Sequence, residues 1–130
     1  MKRVLTLTFL LLLGVVFLQS NVNSPEEAAA AKPKFKYSKK VNAVIQEKCY
    51  GCHSEQGRSD KAKEKLMWDN VPGMDAAGQA HILEEILEVV EEGSMPPSRF
   101  LENNPDKKLT DDEKALMEKW AGKMHKKISK

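Results

Sequence analysis

Cys49-Tyr50-Gly51-Cys52-His53 is the stretch on which the reading of this 130-residue chain turns. It holds both cysteines of the sequence, and each residue type in it has a task. Two thiols separated by two residues lie about one helical turn apart, on one side of the chain. There they can add across the two vinyl groups of a haem and form thioethers. His53 follows at once and can bring its imidazole to the iron, which is the attachment pattern of c-type haem. Gly51 is small and leaves room close to the ring. Two other readings compete. A thioredoxin-like disulfide needs a βαβ setting, and no segment shows strand alternation. A zinc site needs four ligands, and the remaining histidines, His81 and His125, stand far from the pair and from each other. The motif therefore predicts one covalently attached haem c, with Cys49 and Cys52 as anchors and His53 as an axial ligand.

Downstream, Met95 is the leading candidate for the second axial position. It stands between a helix end and the pair Pro96-Pro97. The prolines restrict the backbone beside it, so a thioether can be held in place at little ordering cost. Met67 and Met74 are alternatives, and a second histidine ligand through His81 is another. Met117 and Met124 read as core residues of the last helix, and His125 lies in a basic tail. A gap-filling core role is the competing reading for any methionine, Met95 included.

The elements around the motif read as helices. Ser38 can cap a first helix whose apolar face is Val41, Val44 and Ile45, running directly into Cys49. Residues 54–60 form a polar loop with Gly57, and residues 61–68 a short helix. Val71-Pro72-Gly73 is a turn. Residues 75–92 make a longer helix with Ile82, Leu83, Ile86, Leu87, Val89 and Val90 inward, and Gly93 stops it. Thr110 and Glu113 fit a capping box for the last helix, with Leu116, Met117, Trp120 and Met124 as its stripe. The fold class is all-α.

Further out, Lys2 and Arg3 precede an apolar run over residues 4–18, too short for a typical span and suited to an export signal. Residues 1–20 read as a signal peptide or N-terminal anchor, which leaves membrane association through this end as an option. Residues 21–36 read as a linker and residues 37–130 as a single domain, with its start near Phe35 or Tyr37. The formal net charge is +2, and without Lys2 and Arg3 the basic and acidic residues balance at 19 each. That balance excludes a basic nucleic-acid footprint. Charge is nevertheless segregated, with an acidic run at Glu84, Glu85, Glu88, Glu91 and Glu92 and a basic tail from Lys119 to Lys130. Solvated helix faces are the plain reading, and steering of a charged redox partner is the sharper one. Aromatics are only 6% of the chain, few for a self-sufficient core.

From Val41 to Trp120 the sequence resembles the small bacterial haem-binding domains that carry one Cys-x-x-Cys-His and a downstream Met-Pro-Pro. Val44-Ile45 before Cys49, Leu66 to Trp68, His81 to Gly93, Met95-Pro96-Pro97, and Leu109-Thr110 with Glu113 and Trp120 carry the likeness. The resemblance implies a cytochrome c-like helical domain with His53 and Met95 as axial ligands. It also implies that the first and last helices cross, bringing Val41, Val44 or Ile45 to Leu116 and Trp120. Residues 54–65 depart from the family pattern. They are short and polar where it usually has an aromatic, proline-rich stretch, so the cover on the His53 side is unnamed.

The expected function is a monohaem c-type cytochrome. It would carry single electrons between redox partner proteins in the periplasm, or on the outer face of the cytoplasmic membrane. An enzyme is not expected, because about a hundred residues leave little room for a substrate pocket beside a haem. The alternatives are a peroxidase-like haem enzyme subunit and a gas-sensing module with a displaceable sixth ligand.

Overall fold

The computed structural model describes residues 35–130, and among them there is no strand. The expected signal over 1–20, and the linker up to residue 34, lie outside the described residues. The domain is all-α. The hydroxyl of Ser38 accepts from the Val41 amide at 3.2 Å and starts α1 (Lys39–Val44). The chain then widens into a π-helical turn over Ile45–Cys49, closed by the Tyr50 amide on the Ile45 carbonyl at 2.8 Å. The sequence pattern shows one uninterrupted helix here. The wider turn turns the motif relative to α1 without breaking the chain's hydrogen bonding.

Ser59 caps α2 (Asp60–Lys65), whose end differs from the expected 61–68. Leu66 is extended, and Met67 and Trp68 leave the helix. Tertiary bonding explains the early stop, because the Trp68 amide donates to the His53 carbonyl at 3.1 Å instead of continuing the helix. Val71–Gly73 is a tight 3₁₀ turn. Asp75 accepts from the Gly78 amide at 2.8 Å and caps α3 (Ala76–Glu91). Gly93, with φ of 67°, ends that segment in the left-handed region that only glycine enters freely. A short α4 (Ser98–Leu101) follows the two prolines, and a 3₁₀ turn over Pro105–Lys107 follows it.

The capping box at Thr110 and Glu113 is present in full and opens α5 (Asp111–Ile128). Packing of α3 against α5 is the principal helix pair, and α1 lies on α5 as well. Val41, Val44 and Ile45 share one buried core with Leu83, Met117 and Trp120, and Leu116 packs against its edge. The implied meeting of the first and last helices is therefore present. Phe35 and Tyr37 join Trp68 and Trp120 in an aromatic cluster with ring centroids 5.3–6.4 Å apart. The Trp120 indole fastens this entry segment by donating to the Lys36 carbonyl at 3.2 Å. None of the described helices is long and apolar enough to cross a membrane.

Candidate functional site

A cavity of about 310 Å³ lies between the Cys motif, α3 and the segment around Met95. Its walls are built by periodicity. On α3, Ile82, Ile86, Val89 and Val90 fall on one stripe, and that stripe faces the motif. Pro96, Phe100, Leu109 and Met117 complete the apolar lining. Cys49, Cys52, His53 and Met95 all line this one cavity. Met67, Met74, Met124, His81 and His125 do not line it. Met117 does, although its stripe reads as core in sequence, and at 2% exposure it serves both the core and the cavity wall. Met95 is 38% exposed, which sets it apart from the buried core methionine.

His53 is held from one side. Its Nδ1 lies 3.0 Å from the carbonyl oxygens of both Ala62 and Leu66. Carbonyls only accept, so Nδ1 carries the hydrogen and Nε2 keeps its lone pair. That orients the ring and makes its free nitrogen a better metal donor. The α2 turn that ends at Leu66 thus backs the His53 ring. The motif itself turns tightly, with the Cys52 and His53 amides each 3.1 Å from the Cys49 carbonyl. Gly57 closes the loop behind it. A Cβ there would overlap the Cys52 carbonyl and stand 2.8 Å from the Ser54 carbonyl oxygen. A Cβ on Gly51 meets no protein atom, so within the chain the demanding glycine is Gly57.

Charge at the site is arranged around Lys48 and Cys49. The Lys48 side chain is almost fully buried, donates to the Asp106 carbonyl at 2.7 Å, and lies 3.2 Å from Glu47 and 3.8 Å from Glu113. It ties the end of the π-turn to the start of α5. Burial pushes the Cys49 thiol up to about 12, with Cys52 and Glu113 adding to the shift. Tyr50 donates to both carboxylate oxygens of Asp69 at 2.7 and 2.8 Å, a bond that raises its hydroxyl above the usual range. Lys63 pairs with Asp60, while Lys65 reaches the cavity wall.

The donor set suits a haem. Two thiols, an imidazole with a free nitrogen and a thioether border a pocket whose other walls are mostly hydrocarbon. A family model described as a haem-binding domain matches residues 59–123, half of the chain. The chain belongs to the haem-binding domain family. The family match begins downstream of His53 and includes Met95, α2, α3, α4 and most of α5. No curated protein and no solved structure matches the chain. For this haem-binding domain the sequence names Gly57 only as part of a loop and Trp68 only within a stretch that carries the likeness, and it does not point to the carbonyls of Ala62 and Leu66. The first two carry a weak signal, as a glycine in a polar loop and a tryptophan just beyond it. Backbone acceptors carry none.

Proposed function

We propose that this haem-binding domain is a monohaem c-type cytochrome that carries single electrons outside the cytoplasm, with His53 and Met95 as axial ligands. One observation carries the reading: Cys49, Cys52, His53 and Met95 line a single cavity, with His53 Nδ1 engaged by two carbonyls. Bound haem supplies a reversible one-electron iron couple. The chain's part is to anchor, ligate and shield. Cys49 and Cys52 would anchor the haem, each S–H adding across one vinyl group so that sulfur and hydrogen both end on the former double bond. Covalent anchoring at two points then resists loss of the cofactor. His53 and Met95 would hold the iron from the chain's side, and with both in place little rearrangement would accompany a change of oxidation state. A thioether opposite His53 favours a higher potential than a second imidazole would. The apolar stripe of Ile82, Ile86, Val89 and Val90 would keep water from a haem bound in this cavity.

A carrier is favoured over an enzyme because His53 and Met95, side chains that suit the two open positions of a haem iron, line the same cavity, which would leave no position for a bound peroxide. The apolar run over residues 4–18 supports export to the periplasm or the outer face of the cytoplasmic membrane. Redox proteins are the partners this reading requires.

The test is the visible spectrum of oxidised and reduced protein beside Met95→Ala. A weak red-end band in the oxidised wild type, lost in the variant, supports His53/Met95 ligation. Carbon monoxide should bind the reduced variant and leave the reduced wild type unchanged. A high-spin wild type that binds carbon monoxide as readily as the variant would turn the assignment toward a peroxidase-like subunit or a gas sensor.

A further inference from the structure

Among the described residues, the Trp68 indole Nε1–H is the only buried side-chain donor or acceptor without a hydrogen-bond partner. The side chain is 4% exposed and lines the haem cavity. Everything else about Trp68 is satisfied. Its amide donates to the His53 carbonyl at 3.1 Å, and its own carbonyl accepts from the Tyr37 hydroxyl at 2.9 Å. The other indole of the chain, Trp120, has its acceptor in the Lys36 carbonyl. A sealed donor is costly to leave unpaired, and native folds rarely do so without a reason. The reason here is chemical. A haem is an apolar disc that brings two carboxylate arms, and these are strong acceptors. Its vinyl groups point toward the cysteines, and its carboxylates leave the ring on the other side. Three residues before Trp68, exposed Lys65 lines the same cavity and can offset a negative charge at the rim.

We propose that Trp68 Nε1–H donates to one of the two haem carboxylates, with Lys65 as the counter-charge at the rim, so that residues 65–68 form the polar end of the haem site. The assignment rests on the haem reading. It gives the 66–68 segment two tasks. Leu66 holds the iron-binding ring through its carbonyl, and Trp68 fixes the rotation of the disc from its charged edge.

The experiment uses full-length protein labelled with ¹⁵N at tryptophan, in haem-free and reduced haem-loaded forms. Trp68→Phe and Trp120→Phe each assign the two indole signals. The expected result is a downfield shift of the Trp68 indole proton on haem loading, with the Trp120 signal little changed. A nuclear Overhauser contact from the Trp68 proton to the methylene protons of a haem carboxylate arm should accompany it. Lys65→Ala should leave that contact in place and speed exchange of the indole proton. A haem-loaded protein whose Trp68 proton keeps its haem-free shift, or contacts only water or protein, overturns the assignment and leaves the haem reading standing. Absorbance recorded on the same sample separates the two failures, since a protein without a haem band ends both. If Trp68→Phe does not fold, Trp120→Phe makes the assignment and the contact in the wild type decides alone.

Discussion

Gly57 makes the sharpest demand on a single residue outside the Cys motif. Its missing side chain lets the loop fold back on the Cys52 and Ser54 carbonyls, while its amide donates to Ser54 at 2.9 Å. Gly57→Ala must push backbone against backbone, and an overpacked site of this kind costs about 1–3 kcal/mol. Urea unfolding of the haem-loaded variant, followed by far-ultraviolet circular dichroism, should read that loss. An unchanged midpoint would show that the loop can open without strain. The residues of the Cys motif were legible in sequence because their chemistry is local: two thiols and an imidazole at fixed spacing. Gly57 read only as part of a polar loop, since the carbonyls it must avoid are placed by tertiary folding. Trp68 was legible as apolar mass but not as an unpaired donor, because pairing is a property of its surroundings.

At the scale of elements, caps and stripes were the readable signals. Ser38 and Thr110, read as caps, each stand where a side chain accepts an amide hydrogen that has no helical partner, and Asp75, read only as the start of the long helix, does the same. Thr110 also exchanges bonds with Glu113, which in turn lies 3.8 Å from buried Lys48. Thr110→Ala should therefore lower stability by about 1 kcal/mol. The same variant should loosen Lys48, measurable as faster amide exchange at the start of α5 and at Cys49. Exchange confined to the first turn of α5 would mean that the cap and the motif are uncoupled. What the sequence pattern missed lies where local preference yields to a contact far along the chain. The helical pattern through Trp68 is cut at Leu66 by the bond to His53. The i+5 turn at Ile45–Cys49 has the same apolar spacing as the α-helix before it, and α4 is too short for periodicity to show.

Across the whole molecule, the balance of charge hides a strong separation. The four glutamates of α3, Glu92 just beyond it and the lysines of the α5 end are all exposed, as solvated faces should be. The core they cover is small, and much of its aromatic mass sits in the cluster of Phe35, Tyr37, Trp68 and Trp120. That cluster has an optical consequence. The only two tryptophans of the chain have ring centroids 6.4 Å apart, and one of them borders the cavity lined by the Cys motif. Light absorbed by either indole passes readily to the other, and a haem in the cavity lies within transfer range of both. The haem-free chain should glow under ultraviolet excitation and go dark as the cavity fills. Bright emission from a fully loaded sample would place the haem elsewhere. Fluorescence of the unmodified protein thus becomes a built-in gauge of occupancy, read without touching the iron.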